Sequence, residues 1–242
     1  MLTENKFSKY FLYAIGEIVL VVIGILIAIS INNWNENIKE KQQEKVILTA
    51  LKKEFLQNKT AFSETIVTRD SLISVINNIL KYTGQKDFSL SKEESGRFVR
   101  SLRSVVIANI SSSYINELLT SNKIHILQND SLKAILTNWP NDLIDYHTEN
   151  AQSMFAYTRN SIRPFLDKNY SFGSQVYSRR LGIEFNSQFS EDYKSVYGMR
   201  VFENITLSKI EQSRDANQNY HILITKIDNI LEIISQEQLR QQ

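Results

Sequence analysis

One long apolar run near the start of the chain dominates its pattern of hydrophobic and polar positions. From Phe11 to Ile31 only Glu17 and Ser30 are strongly polar. About 20 apolar residues in an α-helix, at roughly 1.5 Å per residue, span the ~30 Å hydrocarbon core of a bilayer. The pattern therefore predicts a membrane-spanning helix.

Aromatic residues flank this run. Tyr10 and Tyr13 lie near its front edge, and Trp34 follows its rear edge. A helix from Tyr10 to Trp34 is about 36 Å long, which places aromatic rings near both headgroup layers, where they anchor membrane helices. We expect these three residues to be interfacial anchors.

A cleaved signal peptide is the alternative interpretation of the run. Ala28, Ile29 and Ser30 have the small-x-small form of a cleavage site. The apolar part of a signal peptide usually has about 7–15 residues, however, and this run is longer and contains an acid. The pattern favours an uncleaved anchor.

Behind the run, Glu36 to about Tyr82 has apolar residues in steps of three, four or seven, the spacing of one helical face. This spacing predicts one long helix that continues from the anchor and stops at Thr83-Gly84. Asn58 and Arg69 interrupt the face, which argues against an uninterrupted coiled coil. The apolar positions are Ile47, Leu51, Phe55, Phe62, Ile66, Ile73, Ile76 and Leu80.

The end of the chain is also predicted to be helical, from Glu191 to Arg240 with a break near Asn204. Its last part has a regular apolar seam in steps of four and three, as in a coiled coil. The natural partner of this seam is the long first helix, packed antiparallel. The seam residues are Ala216, Tyr220, Leu223, Ile227, Ile230 and Ile234.

Between these two helices the sequence predicts a series of shorter ones. With 7 Gly and 2 Pro in 242 residues, helix breakers are rare. The fold class is all-α: a transmembrane helix continuing into a stalk helix, then an extended helical bundle with the C-terminal helix antiparallel on the stalk. The predicted short helices are 92–106 capped at Ser91, 114–122, 131–139 capped at Asn129-Asp130, and 141–160, which starts at Pro140 and is ended or kinked at Arg163-Pro164.

The domain boundaries follow from these elements. We expect an N-terminal segment at 1–9, the transmembrane anchor at 10–34 and a helical domain at 35–242, with an aromatic-rich distal part at about 139–202. Within that part, Tyr170 to Ser190 has no clear period and predicts a long irregular loop. The loop either wraps a core formed by the rings or covers a pocket for a ligand or partner.

Charge around the anchor bears on its orientation. Lys6 and Lys9 precede the run, whereas acids and bases alternate behind it. The positive-inside rule therefore favours a cytoplasmic N-terminus, with the main domain on the other side of the membrane. The lack of cysteine permits either compartment.

Glu17 needs a reason to lie in a membrane helix. On a helical wheel Glu17, Gly24 and Ala28 fall within about 40°, a stripe of small and polar residues typical of helix–helix contacts in lipid. An acid at membrane depth is a hypothesis of function. It fits a protonated side chain in a homo-oligomer, a contact with another membrane protein, a proton relay, or a side chain that reaches the cytoplasmic interface.

The segment YAIGEIVLVVIGILIAISINNWNE resembles the N-terminal signature of an uncharacterised family of single-pass bacterial membrane proteins common in Bacteroidota. The match covers residues 13–18, 21–28 and 32–36. The resemblance implies a membrane anchor followed by a helical domain of unknown function, and with the charge bias it implies an anchor in a bacterial inner membrane and a main domain in the periplasm. It implies no catalytic residues.

Chemical motifs are not evident elsewhere. His125, His147 and His221 lack the spacing of metal ligands, and there is no phosphate-binding Gly-rich loop, serine elbow or cysteine. We therefore expect no enzyme, no cofactor and no metal. The net charge of +2, without a long basic run, predicts no nucleic-acid partner.

One predicted helix carries three regularly spaced arginines. Arg97, Arg100 and Arg103 recur at a spacing of three. They form either a solvated face with ion pairs to other helices or a contact for an anionic ligand or lipid headgroup.

Two classes of function remain. The first is a structural or interaction component of the cell envelope, a scaffold or oligomer whose membrane helix contacts a second copy or another membrane protein. The alternative is an extracytoplasmic ligand-sensing domain that acts through a membrane partner. A stator-like proton-channel subunit is a third, more remote hypothesis.

Overall fold

A computed structural model describes residues 4–172, 182 and 192–241, with side chains from residue 11 onward. Helix α1 runs without a break from Glu4 to Asn77, and a 3₁₀ turn follows at Asn78–Lys81. At about 1.5 Å per residue, α1 is roughly 110 Å long. The predicted continuity of the apolar run with the helix behind it is confirmed.

The stop signal after α1 also acts as predicted. Gly84 has a φ of 73°, in the left-handed region that favours glycine. Its N–H donates a 2.9 Å hydrogen bond to the Tyr197 carbonyl. The turn thus fixes the end of α1 to the last part of the chain.

Helix α2 spans Lys92–Arg103 and begins at the predicted cap. The Ser91 hydroxyl accepts from the Glu94 N–H, and the Glu94 carboxylate accepts from the Ser91 N–H, which is a capping box. The helix ends before the predicted Val106. Its continuation is a non-helical segment whose backbone groups bond to side chains of other helices: the Val106 carbonyl accepts from Arg69, and the Ala108 N–H donates to Tyr220.

Helix α3 spans Ser113–Thr120, and α4 spans Asp130–Leu143. A 3₁₀ turn at Lys123–Ile126 connects them. The Asn129 side chain caps α4 by accepting a 2.9 Å hydrogen bond from the Leu132 N–H, as predicted.

The prediction that Pro140 starts a separate helix is wrong. Pro140 lies inside α4, and the helical path continues to Asn169. Trp139 and Leu136 are fully buried beside it, and this packing offsets the cost of about 3 kcal/mol that a proline imposes on a helix interior. The path consists of a π-helical turn at Ile144–Thr148, α5 at Glu149–Tyr157, a second π turn at Thr158–Ile162, and α6 at Arg163–Asn169.

The Arg163-Pro164 pair does not end the helix either. The Arg163 N–H reaches back five residues to the Thr158 carbonyl, and Pro164 falls in the first turn of α6. A proline is tolerated there, because a first-turn N–H needs no helical partner.

Helix α7 spans Arg200–Arg240 without the predicted break at Asn204. Asn204 is exposed, and the buried Phe202 and Ile205 on either side hold the first turns against the bundle. A short 3₁₀ turn at Ser195–Gly198 precedes the helix.

The antiparallel pairing of α7 with α1 is confirmed. Lys59 of α1 pairs with Asp228, whereas Arg69, further along α1, pairs with Asn217. All the predicted seam residues are at most 1% exposed, namely Ala216, Tyr220, Leu223, Ile227, Ile230 and Ile234.

Two hydrophobic cores lie along this pair of helices. The proximal core joins α1 from Ile47 to Ile66 with α3, α4 and the C-terminal half of α7. The distal core joins α1 from Ile73 onward with α2, α6 and the start of α7.

The rings of 139–202 divide between these cores. Trp139 belongs to the proximal core, where it meets Phe55 edge-on at 5.1 Å, and Tyr197 and Phe202 belong to the distal core. Apart from residues 170–172 and Gly182, the predicted loop lies outside the described residues.

Candidate functional site

The first candidate site is the face of α1 that carries Glu17, Gly24 and Ala28. All three residues are exposed, as is every residue from 11 to 43. A Cβ placed on Gly24 would meet no atom within 4 Å. This face is therefore open to a neighbouring helix.

The flanking aromatic side chains that the structure describes are also exposed. Tyr13 is 78% exposed and Trp34 is 67% exposed. Tyr10 lies in the same helix, in the part whose side chains are outside the described residues. Tyr13 and Trp34 each lie near an end of the apolar run, as interfacial anchors would.

Buried polar side chains on the inner face of α1 hydrogen-bond to the backbone around the start of α3. The Glu54 carboxylate accepts hydrogen bonds of 3.0 Å from the N–H groups of Tyr114 and Ile115 at the start of α3. Asn58 bonds both the carbonyl and the N–H of Ser111. The sequence showed Asn58 only as an interruption of the apolar face, because its backbone partner lies 53 residues away.

Arg69 is the centre of a polar layer between the two cores. Its side chain is 1% exposed and donates hydrogen bonds to the Asn217 oxygen at 2.7 Å and to the Val106 carbonyl at 2.9 Å. Its guanidinium lies 4.7 Å from the ring centre of Tyr220. Burial lowers the pKa of Arg69, whereas Tyr220 and Asp70 oppose that shift.

His147 extends this layer. Its Nδ1 lies 3.1 Å from the Tyr220 hydroxyl, which also accepts from the Ala108 N–H. Burial and the nearby charge of Arg69 lower the pKa of His147. This shift favours the neutral ring, which is hydrogen-bonded to the tyrosine hydroxyl.

Lys209 forms the other end of the layer. It is 1% exposed, and its ammonium donates a 3.2 Å hydrogen bond to the Thr158 hydroxyl. Burial, together with the charge of Arg69, lowers the pKa of Lys209 to about 8. Among the residues that the structure describes, no carboxylate lies within 4.0 Å of this ammonium.

Thr158 also lines a surface groove of about 580 Å³. One wall is the end of α2 with Val105, and the other is the segment from α5 to α6 across the second π turn. Three arginines line this groove, and its lining contains no acid among the residues that the structure describes. The lining residues are Arg103, Val105, Gln152, Phe155, Ala156, Thr158, Arg159, Asn160 and Arg163.

The predicted arginine cluster is divided by the structure. Arg103 lines the groove and stacks 4.7 Å over the ring of Phe172, whereas Arg97 lies 4.0 Å from Glu94 on the exposed surface. Sequence reasoning missed Arg159 and Arg163. Their spacing of four residues was a usable signal, but the predicted helix end at Pro164 separated them.

Metal ligands do not converge anywhere in the described part of the chain: no three His, Asp or Glu side chains meet there. His147 contacts Tyr220 instead, and the His125 ring bonds the local Asn122 carbonyl.

Comparison with known proteins gives one relationship. A family model described as a family of unknown function (DUF6090) matches residues 17–155, which include the apolar run from Glu17 onward and the helices as far as α5. No curated protein and no solved structure matches the chain.

Proposed function

The chain belongs to DUF6090, a family of unknown function, and we propose that it is a membrane-anchored interaction protein of the bacterial cell envelope. In this proposal residues 10–34 span the inner membrane, residues 35–242 form the extracytoplasmic domain, and the membrane helix joins copies of the chain. The protein acts as a scaffold and performs no catalytic step.

The observation that carries the proposal is the exposure of the apolar run. Every large apolar side chain from Phe11 to Ile31 is between 45% and 78% exposed. Removing one such side chain from water is worth roughly 1.5–3 kcal/mol. The whole run is therefore far more stable in a bilayer than in water, and among the described helices α1 alone is long and apolar enough to cross one.

The orientation rests on charge. Lys6 and Lys9 precede the run, and Lys and Arg near a membrane helix favour the cytoplasmic side. The proposal therefore places residues 1–9 in the cytoplasm and the bundle in the periplasm.

The interaction rests on the face of Glu17, Gly24 and Ala28. Small residues four apart, such as Gly24 and Ala28, let two helix backbones approach closely in lipid. Glu17 lies on the same face, and an acid at membrane depth requires a polar partner. A second copy supplies one, because symmetry brings the two Glu17 side chains to the same interface.

The scaffold role rests on the continuity of α1. The helix that crosses the membrane also provides apolar residues from Ile47 to Ile66 to the proximal core and Ile73 and Ile76 to the distal core. Association in the membrane therefore sets the distance and angle between bundles without a flexible linker.

Two measurements test the proposal on the full chain. Alkaline extraction should leave the wild-type chain in the membrane fraction, and external protease applied to spheroplasts should degrade the bundle. Release by alkali, or a protected bundle, would contradict the anchor or its orientation.

Light scattering in detergent tests the association. The wild type should be an oligomer, and Glu17→Ala or Gly24→Leu should shift it to a smaller species. Leu26→Ala, on the opposite side of the helix, is the matched control and should leave it unchanged. A monomeric wild type would contradict self-association.

A further inference from the structure

We infer that the groove between the end of α2 and the α5–α6 segment is a binding site for a soluble phosphate-bearing molecule. The site goes beyond the scaffold role, since its chemistry lies outside the membrane helix. Arg103, Arg159 and Arg163 line it.

Within the described part of the chain, no ion pair compensates the charge of the groove. Arg159 and Arg163 are exposed and have no ion-pair partner among the residues that the structure describes. Three like charges on one concave surface repel one another, and a bound anion relieves that repulsion. Guanidinium groups match phosphate, because their planar N–H groups can donate two parallel hydrogen bonds to it.

The buried Lys209 also indicates that the groove binds an anion. Its ammonium is 1% exposed, and Thr158, its one hydrogen-bond partner among the described residues, lines the groove. An ammonium has three donors, and a buried charge without a counterion is costly. An anion in the groove places negative charge on the far side of Thr158 and compensates Lys209.

The π turn beside the groove and the contacts of its side chains indicate a preorganised binding site. The second π turn, Thr158–Ile162, carries Thr158 and Arg159, and π turns inside helices occur frequently at functional sites. Arg103 is held by the ring of Phe172 at 4.7 Å. Two of the groove's side chains are therefore positioned before a ligand arrives: Thr158 by Lys209 and Arg103 by Phe172.

The apolar part of the lining indicates what the phosphate is attached to. Val105, Phe155 and Ala156 lie in the same groove as the arginines, and Phe155 is 56% exposed. A phosphate monoester with an apolar or aromatic body satisfies both halves of the lining, whereas inorganic phosphate satisfies only the charged half.

The position along the bundle separates a soluble anion from a lipid headgroup. Arg69 of α1 is close enough to Lys209 to affect its charge. Lys209 contacts Thr158, which lines the groove, so the groove lies near the level of Arg69 along α1. From Ile31 to Arg69 the helix rises about 57 Å at 1.5 Å per residue. If α1 spans the membrane as proposed above, the headgroups of that bilayer are out of reach.

The test uses the full chain in phosphatidylcholine nanodiscs and measures binding by calorimetry at constant ionic strength. The probes are inorganic phosphate and phenyl phosphate, with chloride as the reference anion. We expect saturable binding of both probes, tighter for phenyl phosphate. Arg159→Gln together with Arg163→Gln should weaken binding about tenfold or more.

Arg97→Gln is the matched control, because Arg97 is an exposed arginine outside the groove, and it should change affinity less than about twofold. Absence of saturable binding to the wild type, or equal losses in the control and the groove variant, would overturn the site. Nanodiscs that contain phosphatidylglycerol should give the same affinity, and competition by this lipid would overturn the assignment to a soluble ligand. None of these results depends on oligomerisation, so a failure of the anion site can be distinguished from a failure of the scaffold proposal.

Discussion

Arg69 of α1 donates a 2.7 Å hydrogen bond to the Asn217 side chain of α7, although 148 residues separate them in the chain. Asn217 in turn donates a 2.7 Å hydrogen bond to Asp70. This contact sets the register of the antiparallel pair, because any slip along the seam would leave a buried guanidinium without its acceptors.

Arg69→Ala should therefore destabilise the bundle strongly. The substitution leaves the Val106 carbonyl and the Asn217 oxygen without their donor, and losses of this kind cost about 2–4 kcal/mol. The measurement is urea unfolding of the detergent-solubilised full chain, followed by circular dichroism.

Lys59→Ala is the control for that prediction. Lys59 pairs with Asp228 across the same two helices, but its side chain is 38% exposed and that of Asp228 is 50% exposed. Exposed ion pairs contribute about 0.2–1 kcal/mol. Equal losses for the two variants would show that Arg69 does not set the register.

Glu54→Gln should loosen α3 specifically. The carboxylate accepts from two N–H groups at the start of that helix, where a negative charge is favourable. Glutamine removes this charge, and its NH₂ group cannot accept a hydrogen bond from the backbone N–H that it faces. The expected cost is about 1–3 kcal/mol.

Hydrogen exchange read by mass spectrometry checks this effect. Peptides that cover residues 113–120 should exchange faster, while peptides from α7 keep their protection. Glu64→Gln, which replaces an exposed acid on α1, serves as the control. Uniform acceleration across the chain would refute a local capping role for Glu54.

The stability of the protein should rise with pH where Lys209 titrates. The pKa is about 8 in the folded protein and near the ordinary 10.5 when unfolded, so the unfolded chain binds more protons between these values. The linkage relation then requires stability to increase from about pH 8 to about pH 10.5, by on the order of 3 kcal/mol.

The difference between the wild type and Lys209→Met isolates this contribution, because other groups titrate equally in both. The free energy of unfolding should increase with pH more steeply in the wild type than in the variant. Lys53→Met, at an exposed lysine, should retain the wild-type slope. Parallel pH profiles for the wild type and Lys209→Met would exclude a buried lysine with a lowered pKa.

The sequence predicted the helices and their pairing better than their ends. The seam from Ala216 to Ile234 is regular, so it predicts both the helix and its need for a partner. Pro140 and Pro164 misled the prediction, because local rules for proline ignore the burial of Trp139 and the π turn before Arg163. Asn204 misled it because an exposed asparagine does not break a helix that its neighbours hold.

The polar sites were largely beyond reach of the sequence. Arg69, Asn217 and Tyr220 meet only once α1 and α7 are antiparallel, and Arg103 meets Arg159 and Arg163 only once α2 lies beside the α5–α6 segment. Glu17, Gly24 and Ala28, by contrast, could be grouped from periodicity alone, because they share one helix.

The central claim is that this face of α1 meets a second copy of the chain within a membrane. The chain contains no cysteine, so single cysteines report on it without background. Ala28→Cys lies within about 20° of Glu17 on the helical wheel, and Leu26→Cys lies about 180° away. Oxidation in native membranes should give a covalent dimer for Ala28→Cys and none for Leu26→Cys. Equal crosslinking at both positions, or none at Ala28→Cys, would contradict the account.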